Sequence, residues 1–530
     1  MNLARYNFET ISLVKRTDTT QARLDRLGVD LSRYKGVRER TEYAPISSRT
    51  NRGLTQSLMR CYRDELLFRV PDPCVLTHIL TTRCNYNCGF CSFADSLNKK
   101  NNDLTLAEIE NVYRTIGSSL NVIIYSGGET TLNKDLPSIV ETAYRLTSVQ
   151  SVFIISNAWN PQLILDITHR IAQTCPDLHL TWSLSIEGPK EINNSIRCTR
   201  AKAWDAWQNT VDTLEALKEI RRRFDYRLLD LQLCTVCSPT NAHALNQWYE
   251  TVRDDLKPDK WNLNLMRRSV QMTDNALPKF EERRASATLQ EFESTYIQLT
   301  ERLKKDVLAG TLKFLYHTRT TQDGALKSAV DLISQDANRR TVLEQPQQFC
   351  CKAGTMGAYI SCEGAVSGCE EFAHTDKENK TFGYLRDEGC DFQKIWRGSK
   401  AAKYRPRVGK SEECRGCTLE SQRNYPAILV SFKSLFEAEK LARSIRGNAD
   451  VKQEPGPVPA PASAPVSRPV SVLVQLPVSM PLPVSMPLPV SAPLPVSAPL
   501  SAPLPVSVPG RGFASCLTKG RLVRSVQRSI

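Results

Sequence analysis

The chain reads as an α/β protein: a partial (β/α)6 barrel, then a small α+β domain, then a proline-rich tail. Three observations predict this. Six short apolar strands alternate with amphipathic helices between residues 74 and 266, which implies a parallel sheet with right-handed crossovers. Residues equipped for chemistry recur at the C-terminal ends of those strands, where ligands gather in such sheets. From Glu454 to Pro509 the composition turns to Pro, Val, Ser, Ala and Leu, which no packed core accommodates.

The first strand, Cys74 to Thr82, is rich in β-branched and aliphatic residues. It runs into Arg83-Cys84-Asn85-Tyr86-Asn87-Cys88-Gly89-Phe90-Cys91, a C-x3-C-x2-C loop. Three thiolates on one short loop can hold three irons of a [4Fe-4S] cluster. A structural cluster is closed by four. The iron left open is a docking position, as an open coordination site marks a catalytic zinc. A zinc knuckle or three unrelated core thiols are the alternatives, although zinc sites favour paired C-x2-C elements. Phe90, just before the last cysteine, is placed to pack on a nucleotide ring.

The helix Leu104 to Ser118 follows, then the strand Asn121 to Tyr125, which ends in Ser126-Gly127-Gly128-Glu129-Thr130. Gly127 and Gly128 let a ligand approach the backbone, and the Glu129 carboxylate can accept hydrogen bonds from an ammonium group. A plain glycine turn is the alternative. After the helix Leu136 to Thr147, a third strand, Ser151 to Ser156, ends in Asn157. The helix Gln162 to Thr174 leads to a fourth strand, Leu178 to Ser185, which runs through Glu187 and Gly188 towards Arg197. The helices Ala203 to Phe224 and Ala242 to Leu256 alternate with the last two strands, Leu228 to Val236 and Trp261 to Met266.

The cysteine loop, the GGE run after the second strand, the Ser-Asn end of the third and the Ser185-to-Arg197 segment together resemble the radical S-adenosylmethionine (SAM) superfamily. The fourth segment differs from the family pattern in having Glu187 where aspartate is usual and Cys198 where glycine is usual. The resemblance implies that Cys84, Cys88 and Cys91 ligate the cluster and that its open iron chelates the amino and carboxylate groups of SAM. It further implies that Phe90, Gly127, Gly128, Glu129, Asn157, Ser185 and Arg197 bind SAM. Glu129 would hold the amino group, Ser185 the ribose or carboxylate, and Arg197 the carboxylate in a two-pronged grip. Arg267 and Arg268, at the end of the sixth strand, are candidates for substrate contact.

A second constellation lies downstream. Cys351 opens it, Gly364 and Cys369 follow, and Cys414-Arg-Gly-Cys417 closes it; Tyr359 to Gly368 reads as a hairpin turning at Glu363-Gly364. This C-x12-G-x4-C and C-x2-C layout resembles the SPASM and Twitch auxiliary-cluster regions of radical SAM proteins. Glu420, Gln422 and Arg423 stand where a full SPASM region places further cysteines, so one auxiliary [4Fe-4S] cluster of the Twitch type is expected. Four ligands, Cys351, Cys369, Cys414 and Cys417, resemble the aminocyclitol dehydrogenase subgroup. Full ligation implies electron transfer rather than substrate binding. Cys350 can substitute for Cys351, and a structural zinc held by the same thiols is the alternative.

The other cysteines lack metal spacing except Cys234-x2-Cys237, which a strand points to opposite faces. Seventeen cysteines, with no signal peptide and no long apolar run, imply a reducing compartment, the cytoplasm, and no membrane span. The net charge of +14 comes from 70 basic and 56 acidic side chains, and a modest excess spread over a solvated surface does not point to nucleic acid. The expected boundaries are residues 1–72 as an extension capping the barrel, 73–270 as the barrel, and 271–345 as a helical linker with a strongly charged helix at about Leu289 to Leu308 and then polar connecting sequence. Residues 346–425 form the auxiliary domain, 426–453 a C-terminal helix and linker, and 454–530 the tail with its basic end. A Pro-Val-Ser-x-Pro-Leu repeat from Pro477 makes that tail an extended spacer or a docking strip for a protein partner.

The resemblance implies an oxidoreductase fed by a flavodoxin- or ferredoxin-type donor. SAM is cleaved to methionine and a 5′-deoxyadenosyl radical, which takes a hydrogen atom from substrate. The auxiliary cluster then accepts an electron, and an alcohol carbon of a small molecule becomes a ketone. A peptide-modifying maturase is the second reading, and a non-catalytic iron–sulfur or zinc interaction protein the third.

Overall fold

The computed structural model describes residues 69–450 apart from 95, 100–101, 198–204, 225, 227, 267–288, 313–320, 347–348, 376–380, 412–413 and 415. Before position 69 it describes Asp25, Asp30, Tyr34, Arg60, Arg63, Asp64 and Leu67. Cys198, Arg267, Arg268 and the proline-rich tail lie outside the described residues.

The barrel runs β1 Val75–Ile79, α1 Leu106–Ile116, β2 Val122–Ser126, α2 Leu136–Leu146, β3 Ser151–Ser156, α3 Pro161–Thr174 and β4 His179–Ser185. It continues with α4 Lys190–Ile196, α5 Ala206–Phe224, β5 Leu229–Cys237, α6 Leu245–Thr251 and β6 Lys260–Leu265. All six strands are parallel and pair in sequence order, as the alternating pattern requires. Burial alternates along β2, β3 and β6, with one side under the helices and the other turned towards the interior. The last helix of the barrel departs from the single Ala242–Leu256 span expected. A 3-10 turn precedes α6, a π turn at Val252–Leu256 follows it, and Lys257 ends the run in the left-handed region at φ 42°.

The segment after β6 forms α7 Leu289–Leu308 and α8 Thr321–Val342. The second of these falls where polar connecting sequence was expected. Its inward face mixes Ala325, Ala329, Leu332, Ile333 and Ala337 with Ser334, Gln335 and Asn338, so its apolar period is thin and largely alanine. Ser334 and Asn338 are held by Asn424 Nδ2 at 3.1 and 2.8 Å.

The auxiliary part contains β7 Gly357–Ile360, β8 Ala365–Ser367, α9 Glu370–Thr375, β9 Gly383–Tyr384, α10 Phe392–Trp396 and α11 Ser399–Tyr404. After it come α12 Tyr425–Leu429 and α13 Phe432–Asp450. The hairpin turns at Gly364, whose φ of 90° suits glycine, as expected. The sheet, however, does not stop at the barrel. Its order is β6-β5-β4-β3-β2-β1-β7-β8-β9, with β7 parallel to β1 from Val75↔Gly357 to His78↔Ile360.

Side chains reinforce that junction. Trp396 Nε1 donates to the Pro71 carbonyl at 3.0 Å, and Arg397 reaches Asp72 at 2.6 Å. At the start of α1, Thr105 and Glu108 form a reciprocal capping box, and Arg386 grips the same Glu108 carboxylate at 2.6 and 3.0 Å.

The Arg386 guanidinium holds the Glu108 carboxyl down to about 2. A carboxyl lowered on folding stabilises fully above its ordinary value of about 4.3 and loses that contribution as pH falls towards the folded value. The pair is half-buried, so Glu108→Gln should cost about 1 kcal/mol at pH 7. Denaturant titrations across pH should show the difference from wild type shrinking between pH about 4.3 and about 2.

Candidate functional site

The cysteine loop leaves the C-terminal end of β1 and is closed on itself by Asn98. The Asn98 side chain accepts from Cys84 N and donates to Cys84 O, both at 3.0 Å, and its own N donates to Thr82 O. Asn98 has φ 58°, a conformation that asparagine tolerates better than most residues. Within this clasp, burial pushes the thiol of Cys84 up to about 11 and that of Cys88 up to about 12, and also raises Cys91. Cys91 raises Cys84 further, Cys91 and Cys84 raise Cys88, and the Arg197 guanidinium pulls both back.

Gly127 and Gly128 bring the end of β2 against this loop. A Cβ on Gly127 would sit 2.3 Å from Thr81 O, and one on Gly128 would sit 2.3 Å from Arg83 O. Gly128 N and Glu129 N donate to those same two carbonyls at 2.8 Å. The space that the sequence offered to a ligand is therefore filled by the backbone leading into Cys84.

Glu129 is 1% exposed and fully engaged. Its Oε1 accepts from Thr131 N, Thr131 Oγ1 and Ser156 Oγ at 3.1, 2.6 and 2.8 Å, and its Oε2 from Asn157 N at 2.7 Å. Burial raises its pKa and these donors pull it back. Asn157 in turn donates to Asn85 Oδ1 at 2.9 Å and points Nδ2 at Cys84 Sγ from 4.0 Å.

Arg197 gives its two-pronged grip to Glu187: Nε and Nη2 both donate to Oε1, at 2.9 and 2.6 Å. Its Nη1 points at Cys88 Sγ from 4.0 Å. Glu187 Oε2 accepts from Val236 N at 2.7 Å. Ser185 is buried at the end of β4, where its carbonyl accepts from Thr210, and Phe90 is half-buried on the loop. On β5, Cys234 lies within electrostatic range of Glu187 and Arg197 and accepts from Asn264 at 3.2 Å. Cys237 turns the other way, towards Phe292 O.

The downstream cysteines also converge. Cys351 is pushed up to about 12 by burial, with Cys417 and Cys414 as its charged neighbours. The Tyr404 hydroxyl senses Cys369, Cys351 and Cys414. Cys350 is exposed, while Cys351 is half-buried with Cys417 and Cys414 as neighbours. Three residues beyond Cys417, burial pushes Glu420 up to about 7, and Asn338 donates to it at 3.3 Å. Asn98 and Tyr404 had no spacing signal in the sequence, and Glu420 stood there only as a position without a cysteine.

Among the described residues, no three His, Cys, Asp or Glu side chains are close enough to hold a single metal ion. A four-iron cube spreads its thiolates farther apart than one ion does, and largely half-buried groups of three and four cysteines fit that donor chemistry. A Cβ at residue 128 would displace the Arg83 backbone. Gly128→Ala should therefore cost about 1–3 kcal/mol and lower the iron bound by the first loop. Iron per chain and denaturant titration check this; full loading at unchanged stability would contradict it.

The radical SAM superfamily model matches residues 78–226, and that of the SPASM iron–sulfur cluster-binding domain matches residues 350–418. No curated protein matches the sequence. Among solved structures, anSMEcpe with bound AdoMet and Cp18Cys peptide is 15% identical, covering 71% of this chain and 100% of that one at a TM-score of 0.41. Streptococcus suis SuiB bound to precursor peptide SuiA is 13% identical, covering 71% and 75% at 0.44. BtrN in complex with AdoMet and 2-DOIA is 12% identical, covering 67% and 98% at 0.30. Likenesses at these scores say nothing about substrate. The family matches bring with them a [4Fe-4S] cluster, SAM and auxiliary iron–sulfur binding. The chain thus carries a radical SAM domain, followed by an SPASM iron–sulfur cluster-binding domain.

Proposed function

We propose that the protein is a radical SAM dehydrogenase that oxidises an alcohol carbon of a small molecule, with the auxiliary cluster as electron acceptor. One observation carries the reading. A three-thiol loop with no fourth cysteine follows β1, and four further thiols gather near Tyr404 around the β7–β8 hairpin, which pairs directly with β1. When bound, SAM on the first cluster supplies hydrogen-atom abstraction and the auxiliary cluster takes the second electron, so the substrate loses one hydrogen atom, one electron and one proton to water.

The chain's own residues supply the frame. Cys84, Cys88 and Cys91 are the ligands of the first cluster, and Cys351, Cys369, Cys414 and Cys417 those of the second. The Asn98 clasp and the glycine contact hold the first loop in register with β2. Glu129, anchored by four donors, orients Asn157 beside Cys84, while Arg197 sets positive charge beside Cys88. Phe90 and Ser185 remain the proposed contacts to SAM itself, and Arg267 and Arg268 those to substrate. A low-potential flavodoxin- or ferredoxin-type donor and a cytoplasmic setting complete the reading.

Cys369→Ala should still cleave SAM, releasing 5′-deoxyadenosine, while ketone formation falls at least about tenfold, a barrier change of about 1.4 kcal/mol. Cys84→Ala should abolish both products. Anaerobic turnover with a panel of polyols, followed by chromatography of the nucleoside and the ketone, checks this. Release of 5′-deoxyadenosine that depends on a peptide instead would contradict the small-molecule reading.

A further inference from the structure

The auxiliary thiols are not bare. Ala353 N donates to Cys351 Sγ at 3.4 Å, the Ser411 hydroxyl lies 3.2 Å from Cys414 Sγ, and the Tyr404 hydroxyl lies 3.8 Å from Cys369 Sγ. A ligating thiolate has no proton to give, so each hydroxyl is the donor. Tyr404 differs from Ser411 in how it is held. Ser411 sits in the same turn as its cysteine, three residues away, whereas Tyr404 comes from the end of α11, 35 residues from Cys369, and is 4% exposed.

Its ring is wedged between two glycines. A Cβ on Gly368 would meet Tyr404 Cε1 at 2.5 Å and the hydroxyl oxygen at 2.9 Å, and one on Gly354 would meet Cε1 at 3.0 Å. Phe382 closes a third side, edge-on at 4.9 Å between ring centroids. Arg405, the next residue, donates to the carbonyls of Gly354 and Trp396, both at 2.6 Å, and so fixes the helix end that aims the ring. Gly368 is the neighbour whose missing side chain opens the hydroxyl side of the ring towards the sulfur.

We propose that Tyr404 is a positioning residue for the auxiliary cluster: its buried hydroxyl donates a hydrogen bond to the Cys369 thiolate and thereby raises the cluster's reduction potential. The inference rests on the reading of Cys369 as a ligand. Its physical basis is that each electron added makes the cluster more negative, so a donor on a ligand sulfur stabilises the reduced form more than the oxidised one. Gly368 leaves the room that the ring and hydroxyl occupy on the way to the sulfur, whereas Gly354 is also required by its own φ of 74°.

The test is a redox titration of the reconstituted full chain, followed by electron paramagnetic resonance. In Tyr404→Phe, which keeps the ring and loses the donor, the reduced-to-oxidised ratio of the auxiliary cluster at a fixed potential should fall about tenfold. That is a midpoint lower by about 59 mV for one electron, with the first cluster unmoved. An unchanged auxiliary midpoint with both clusters loaded overturns the proposal. Should Tyr404→Phe fail to load iron, Gly368→Ala retains the hydroxyl but crowds it off the sulfur. It should shift the midpoint in the same direction, and a wild-type midpoint there also overturns the proposal. Cys369→Ala separates the two claims: an auxiliary signal that survives it unaltered removes the ligand assignment, whatever Tyr404 does.

Discussion

Strand β1 is hydrogen-bonded on both edges, to β2 through Val75–Ile79 and to β7 through Val75–His78. Its C-terminal end launches the loop with Cys84, Cys88 and Cys91, and its β7 edge begins the auxiliary part. A strand five residues long thus sets the first loop against both the GGE turn of β2 and the hairpin of β7–β8. A one-residue slip would turn every side chain of β1 to the other face. His78, wholly buried and bonded to Tyr113 at 2.9 Å, would then meet the interior. The register also carries the contacts beyond the strand, from Gly128 N to Thr81 O and from Leu104 N to Cys362 O.

Around that frame the site gathers more negative charge than burial alone tolerates. Glu129, Glu187 and three thiols share a region with one buried guanidinium, Arg197. Each carboxylate is kept by specific donors: four for Glu129, and Arg197 with Val236 N for Glu187. Removing a single partner from such a network leaves a buried charge uncompensated, which costs more than the pair itself contributes. The thiols are different, since burial holds them protonated until a metal takes the place of the proton.

Much of this was legible in the sequence. The strands announced themselves as apolar runs ending in the Cys84 loop, Gly127-Gly128-Glu129, Asn157 and Ser185, and the hairpin at Gly364 showed its glycine. What stayed hidden depended on distance in the chain. Nothing local shows that Glu187 takes the two-pronged grip of Arg197, or that the Gly128 contact is with Arg83 backbone. Helix Thr321–Val342 was hidden because its buried stripe is built largely of alanine and interrupted by polar side chains held against Asn424. The different exposure of the adjacent Cys350 and Cys351 is likewise something that two identical neighbours in a sequence cannot reveal.

The central claim is that the chain holds two different clusters, one open and one closed. Electron paramagnetic resonance of the anaerobically reconstituted, dithionite-reduced full chain tests it most directly. Two [4Fe-4S]+ signals are predicted, of which one shifts on adding SAM and disappears in the Cys84/Cys88/Cys91→Ala variant while the other persists. A single signal indifferent to SAM would contradict the account and leave a structural metal protein.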